Sequence, residues 1–470
     1  MEPLYIIKKS KSGAQLLLLL LPVLVLFGCK KFLDEKPNKS DIVPTKLDDL
    51  QTLLDNSRGA MNSRSAAAYS ELVADNYYVT TSSWQSMEAS DLNRVHAENY
   101  IWGNIPHDVY WSYPYLGPIY YSNIVLDGLP DIKVNSDEVD LYNSIKGSAL
   151  FYRAFAFWQI AQLFSKPYSS ANSDDWGIVL RLTSNVSEKA PRATIQQTYD
   201  KIISDLKTAA DLLPTSVPFA TRPCKAAAYA ALARTYLSMG DYSNAGHYAD
   251  LALQQKNTLV DYNNLVPVGN PPIPSLNTEV IFHNYSPTPV IFSTTNHKID
   301  SNLYRSYNAN DLRKTIFFKL GTGTNAGTYT FRGSYNGTLQ VNSVFDGLAT
   351  DELFLIRAEC FARAGNKDAA LTDLNTLMQK RWKNGNWIPF SASDATTALT
   401  MILSERRKEL VFRGLRWSDI RRLNVEGANI TLTRVVAGNV YTLPPNDLRS
   451  VMLIPSGEIQ YNSRISQNPR

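Results

Sequence analysis

The chain has 470 residues, 44% hydrophobic and 19% charged, with a formal net charge of +4. That supplies enough apolar material for a large core and excludes general disorder. The near-neutral balance gives no support to nucleic-acid binding, which needs a concentrated basic face. In chain order, Lys8, Lys9 and Lys11 come first, then an apolar run from Leu16 to Phe27 that only Pro22 interrupts, closed by Leu26-Phe27-Gly28-Cys29. A cationic start, a short apolar core and a small residue before a cut describe an export signal. The run is about a dozen residues, short of the roughly 20 that span a bilayer. The closing cysteine makes it a lipobox, because a thiol carries a thioether-linked lipid where a hydroxyl does not. Residues 1–28 are therefore expected to leave as a lipoprotein signal peptide, with Cys29 as the lipidation site. Phe27 departs from the small residue usual at that place, which keeps an ordinary signal peptide or an uncleaved anchor as competing readings. Removing residues 1–28 takes away three Lys and one Glu, so the remainder carries about +2.

Residues 29–45, polar with Pro37 and Pro44, read as a tether. The rest, 46–470, reads as a single domain. Thr45 is placed to cap a helix whose stripe is Leu47, Leu50, Leu53 and Leu54. Residues 76–118 are rich in aromatics, Ser, Asn, Gly and Pro and predict loops with short helices. Residues 119–129 and 138–164 predict helices. The second carries Phe151, Tyr152, Phe155, Phe157, Trp158 and Phe164, aromatic nearly all round, as in a helix buried between neighbours. A further helix runs over 194–213, between Thr194 and Pro214.

Tyr229, Leu232, Ala233, Tyr236 and Leu237 then recur at helical spacing, Gly240 and Asp241 break the run, and Ala245, Tyr248, Ala249, Ala252 and Leu253 repeat it. This is a short-looped helix pair. The pattern returns 125 residues later at Phe361, Gly365, Ala370, Leu374, Leu377 and Met378. A glycine ending helix one and an alanine where the helices cross is tetratricopeptide logic. Such pairs bury their faces only by stacking, and the helices over 138–164, 194–213 and 395–424 are the candidates to stack with them. The fold class expected is all-α dominated: a tetratricopeptide-like helical-pair superhelix over about 119–256 and 349–424. A loop-rich half with short strands, such as Val280-Ile281-Phe282 and Thr328-Tyr329-Thr330-Phe331, fills about 76–118 and 257–348. A long insertion of this kind inside a helical stack is usually functional.

Several patterns with chemical meaning fail on inspection. The arginines from Arg406 to Arg422 alternate with Glu405, Glu409 and Asp419, so internal ion pairs at helical spacing account for them. Gly321-Thr322-Gly323-Thr324-Asn325-Ala326-Gly327 lacks both the dinucleotide spacing and the P-loop lysine, and precedes a strand pattern, so it reads as a flexible turn. His96, His107, His247, His283 and His297 are scattered, with no HExxH. Cys224 and Cys360 sit in apolar helical patterns as small buried hydrophobes. No metal and no cofactor are expected. A glycosidase carboxylate pair is never excluded by sequence, but nothing singles one out.

The arrangement resembles the SusD/RagB family of outer-membrane nutrient-binding lipoproteins. Glu405-Arg406-Arg407-Lys408-Glu409-Leu410 with Gly414-Leu415-Arg416-Trp417-Ser418-Asp419-Ile420-Arg421-Arg422-Leu423 is similar to that family's closing helices. Leu453-Ile454-Pro455 and Gln467-Asn468-Pro469 are similar to its C-terminal signature, Ile356-Arg357-Ala358-Glu359 and Ala364-Gly365-Asn366 also match, and Lys30-Lys31-Phe32-Leu33-Asp34-Glu35 resembles its start. The resemblance implies a lipid-anchored, surface-exposed protein of the cell outer membrane. It would act as the lid of a SusC-like TonB-dependent transporter, bind an oligosaccharide or another nutrient such as a peptide, and pass it to the barrel without catalysis.

Ligand contacts are expected from the aromatic loops. A flat ring covers the apolar face of a sugar while amides and charged groups meet its hydroxyls. Tyr77, Tyr78 and Trp84, with Asn76 and Arg94 as polar partners, form the first candidate set. Tyr304 and Tyr307 form the second. Trp102, Trp111, Tyr113 and Tyr115 are expected to pack. A tetratricopeptide scaffold for envelope assembly is the competing reading, and a surface hydrolase a weaker one.

Overall fold

The computed structural model describes residues 44–267, 272–337 and 343–470, and the first helix among those residues is α1, Leu47–Leu54. The export signal, Cys29, most of the tether and the Lys30–Glu35 motif lie outside the described residues. Leu47, Leu50 and Leu54 are the buried stripe of α1, and Asp48 and Asp49 complement its N-terminal dipole. Lys46, not Thr45, holds the N-cap position, and no side chain caps it.

The segment up to residue 119 is a chain of short helices, as its composition predicts. α2, Ala67–Val73, leads into the strand β1, Tyr77–Val79, and then into α3, Thr81–Glu88, α4, Arg94–Tyr100, and α5, Asp108–Pro114. Trp102, Trp111 and Tyr115 are buried, and half-buried Tyr113 lies under the Arg64 guanidinium.

Long helices follow. α6 is Tyr120–Gly128 and α7 is Val139–Phe164, whose C-terminal twenty residues are almost wholly buried. Next come β2, Trp176–Val179, and β3, Arg192–Thr194. α8, Ile195–Leu212, is opened by a capping box in which Thr194 accepts from the Gln197 N–H and Gln197 reaches back. α9, Lys225–Ser238, and α10, Tyr242–Gln255, form the first helix pair. Gly240 ends α9 at φ +74°, a conformation that glycine adopts with little strain. Ala245, Ala249 and Ala252 are fully buried at the crossing.

The insertion holds β4, Val280–Phe282, β5, Tyr285–Pro287, and β6, His297–Ile299. After them come α11, Ser301–Ser306, α12, Arg313–Ile316, β7, Phe318–Leu320, β8, Tyr329–Phe331, β9, Ser343–Phe345, and β10, Leu348–Ala349. Among the described residues every sheet has two strands, paired β1–β6, β2–β3, β4–β10, β5–β9, β7–β8 and β11–β12, the last being Leu432–Val436 with Asn439–Leu443. The Gly321–Gly327 run is the connection of the β7–β8 hairpin, a single 3-10 turn over Gly323–Asn325 that leads into a strand and not into an α-helix.

α13, Thr350–Arg363, and α14, Lys367–Gln379, are the second pair, with Gly365 at φ +81° and Ala370 fully buried. α15, Ala395–Glu409, and α16, Arg416–Val425, close the helical half, and α17, Ser456–Tyr461, lies near the C-terminus. Successive helices α7, α8, α9 and α10 pack side by side, and α10 packs directly on α13 across the insertion. There a Cβ on Gly246 would stand 3.0 Å from Cys360 Cβ, so the two helices meet almost backbone to backbone. Cys224 and Cys360 are buried and unbridged.

The insertion is bound to the stack by ions as well as rings. Arg313 pairs with Asp311 at 2.7 Å, Glu405 at 2.5 Å and Glu409 at 3.0 Å, and Arg381 with Glu279 and Glu409, both at 2.7 Å. Phe282 inserts its ring against Phe151, Tyr152 and Phe155 of α7. Most of the closing arginines are ion-paired, but seldom at helical spacing, and Arg421 donates instead to the Gln162 and Ser165 carbonyls. Arg422 reaches Glu359 of α13, Arg413 reaches Asp351, and Arg416 reaches Asp75. The C-terminal signature is a clamp: Gln467 exchanges two hydrogen bonds with the Ile454 backbone, and Asn468 Nδ2 donates to the Phe164 and Met452 carbonyls.

Candidate ligand-binding surface

Strand alternation decides the fate of the first aromatic set. β1 pairs antiparallel with β6, Tyr77 opposite Ile299, Tyr78 opposite Lys298 and Val79 opposite His297. Successive side chains on a strand point to opposite faces. Tyr77 is buried, its hydroxyl donating to the Leu72 carbonyl at 2.9 Å and its ring edge-on to Phe292. Tyr78 faces the other way and is half-exposed. Asn76 is fully buried and its Nδ2 donates to Glu71 Oε1 at 2.8 Å, while its backbone carbonyl accepts from the Asp300 N–H. The expectation that Asn76 and Tyr77 touch a ligand is therefore corrected: both are interior groups that fix the ladder.

Thr80 caps α3 by accepting from the Ser83 N–H, which sets Trp84 on the first turn. The Trp84 indole donates to the Ala97 carbonyl at 3.0 Å, and its half-buried ring packs against the core. Arg94 opens α4, is exposed, and makes only a loose 4.0 Å contact with Glu88. Its guanidinium is free to turn towards a ligand.

The second set divides in the same way. Asp300 follows β6 and caps α11 by accepting from the Leu303 N–H. Tyr304, on that helix, is half-exposed, stacked on Tyr329 of β8 at 3.6 Å between ring centroids, with Lys314 Nζ 4.9 Å from its centroid. Tyr307 is buried and donates to the Lys408 carbonyl, so it too is corrected to a core residue. Sequence reasoning missed Tyr329. Its signal was present as the exposed member of the Tyr-Thr-Phe strand pattern.

The three-residue β1–β6 ladder thus joins two segments some 220 residues apart, one running on through Tyr78 to Trp84 and Arg94 and the other into Tyr304, which stacks on Tyr329; these partly open side chains are the candidate ledge. Beside it, a cleft of 390 Å³ opens between α11 and the closing helices, lined by Leu303, Ser306, Arg407, Arg416 and Leu423 among others. Burial alone would raise the Asp75 carboxyl behind this cleft, but Arg416 and Arg407 overrule it and hold it well below the usual carboxylate range. Among the described residues no group of His, Cys, Asp and Glu is arranged to hold a metal ion, and no helix is long and apolar enough to cross a membrane.

Two family models match the chain. Residues 31–237 match one described as starch-binding and associating with the outer membrane, and residues 350–470 match that of the SusD family. The chain belongs to the SusD family. SusD family proteins are non-catalytic binding proteins. The SusD-like protein P2 of Formosa agariphila is 24% identical, with 62% of this chain and 67% of that protein covered. Among solved structures, a SusD superfamily protein from Bacteroides thetaiotaomicron matches 91% of this chain and 100% of its own at a TM-score of 0.74 and 22% identity. A SusD-like carbohydrate binding protein from Bacteroides vulgatus matches 90% of this chain and 98% of its own at 0.67 and 19%. These likenesses carry the SusD fold over nearly the whole described chain.

Proposed function

We propose that this SusD-family protein is a lipid-anchored outer-membrane lipoprotein that binds an oligosaccharide and passes it, as a hinged lid, to a SusC-like TonB-dependent transporter. The observation that carries the ligand class is the set of half-buried rings of Tyr78, Trp84 and Tyr304 on the two segments joined by the β1–β6 ladder, with exposed Arg94 on the first of them. Open aromatic faces suit the C–H faces of sugar rings, and a guanidinium suits their hydroxyls. A relative of the same fold carries the description of a carbohydrate binding protein, which supports the same class. Cys29 supplies the anchor in this reading, and the residues after it the leash. Isothermal titration against a panel of oligosaccharides tests the ligand and the ledge together. Trp84→Ala and Tyr78→Ala are each expected to weaken the best ligand by about tenfold or more. Unchanged binding in both would remove the ledge as the site.

A further inference from the structure

A second groove is built from none of the ledge's elements. It lies between the segment after α7, the β2–β3 ladder and the C-terminal clamp. It has two lobes, of 290 Å³ and 320 Å³, which share Lys166, Leu448 and Val451 as walls. Together they reach the range of roughly 300–1,000 Å³ that ligand pockets occupy.

Trp176 lines the first lobe, and it is 50% exposed. An indole left this open normally moves or is covered, yet this one is fixed from behind. The Arg192 guanidinium stands 5.5 Å from its centroid and is itself immobilised by the carbonyls of Gly177, Phe164 and Ser466 and by Asn468 Oδ1, at 2.7–3.0 Å. Gly177 holds the adjoining backbone flush on its neighbours, since a Cβ there would stand 2.4 Å from the Thr194 carbonyl oxygen. Acceptors flank the ring. The Asp174 carboxylate makes no side-chain hydrogen bond among the described residues, and Asp175 spends one oxygen on Lys166 at 2.7 Å and leaves the other open. The same clamp that holds the C-terminus therefore also holds a rigid, half-open aromatic platform beside the unpaired Asp174 and the Lys166-bound Asp175.

We infer that this groove is a second glycan-binding site, in which a sugar ring of a neutral oligosaccharide stacks on Trp176 and its hydroxyls donate hydrogen bonds to the Asp174 and Asp175 carboxylates. The ligand class rests on the glycan reading of the protein; the site does not depend on the ledge. The Lys166–Asp175 pair cancels its own charge, and the unpaired Asp174 carboxylate disfavours uronate and sulfate groups, which leaves neutral glycans as the class proposed. A long chain held at both places gains avidity without any new contact type.

The chain has eight tryptophans, so their indole N–H signals form a small, resolvable set in a 15N-labelled protein. Trp176→Phe and Trp84→Phe identify two of them. The probes are maltohexaose, cellohexaose, xylohexaose and mannohexaose, added singly. The Trp176 signal is expected to shift on saturation with at least one, and Trp176→Ala and Asp174→Asn to weaken that probe's effect on neighbouring signals by about tenfold and a few-fold. A Trp176 signal that stays still with all four overturns the groove. Movement of Trp84 alone rejects the groove and keeps the ledge; movement of Trp176 alone keeps the groove and rejects the ledge; no movement of either rejects both.

Discussion

At Glu71, burial and hydrogen bonding pull against each other, and burial wins. The carboxyl is fully buried, and desolvation pushes it up to about 7 despite the N–H groups of Asn76 and Gly414 that favour its charge. Burial raises Glu279 to about 7 against Arg381, and Asp346 to about 6 against Ser65 and Arg234. A carboxyl raised on folding binds its proton more tightly in the folded state, so it costs stability above the folded value and relieves that cost as pH falls towards its ordinary value. His96 and His297, lowered to about 4 by burial, and His107, lowered to about 3, act in the opposite sense below about 6.5. The whole-protein pH curve therefore mixes two opposed trends, and only a difference curve isolates one group. Glu71→Gln is expected to gain stability relative to the parent by about 3 kcal/mol between pH 4.5 and pH 8, with the gain appearing on the alkaline side. Urea denaturation of both proteins across that window measures it, and a difference that is flat with pH would show that folding leaves the Glu71 carboxyl at its ordinary value. At this scale the sequence speaks unevenly. Gly240 and Gly365 announce their left-handed backbone by position after a helical stripe, whereas nothing in Asp75-Asn76-Tyr77-Tyr78 says which tyrosine faces inward.

That ambiguity belongs to the element, because β1 is three residues long and offers too little of a two-residue period to fix its phase. Long helices have no such difficulty. The stripes of α9, α10, α13 and α14 repeat over several turns, and the Leu232, Ala245, Leu374 and Leu377 positions they assign to the core are fully buried. The β1–β6 partnership was out of reach for a different reason: register across some 220 residues depends on the insertion's whole path. The ladder makes a sharp prediction about neighbours in sequence. Tyr77→Ala removes a ring packed on Phe292 and Tyr100 and is expected to cost about 3 kcal/mol or more. Tyr78→Ala empties a half-exposed position and is expected to cost under about 1 kcal/mol. Thermal unfolding of the two variants side by side checks the phase of the strand, and equal losses would mean that the two rings share one environment.

Across the whole molecule, the helical stack and the insertion are held together at one buried cluster of ions. Arg313 comes from the insertion, Glu405 and Glu409 from α15, and Arg381 from the end of α14, and both arginines have no exposed side-chain surface. The charge pattern of Arg406 to Arg422 shows in sequence that most of that stretch's arginines are neutralised, since Glu405, Glu409 and Asp419 lie among them. It does not show by what, because Glu405 and Glu409 turn away to Arg313 and Arg381 while Arg413, Arg416 and Arg422 find acids on other elements. A buried pair is weak evidence of net stability, but stripping one partner leaves charge in a place where water cannot reach it. Arg313→Met would leave Asp311, Glu405 and Glu409 facing one another without their shared cation. The expected loss is about 3–5 kcal/mol at pH 7.5. Those carboxyls then take up protons more readily in the folded state than in the unfolded chain, so the loss shrinks as pH falls towards 5. Because the cluster joins insertion to stack, the variant is expected to unfold in one transition at lower denaturant, followed by both near-ultraviolet and far-ultraviolet dichroism. Two separated transitions would show that the insertion keeps its own stability apart from the helices, and a loss below about 1 kcal/mol would show that the acids find other partners once Arg313 is gone.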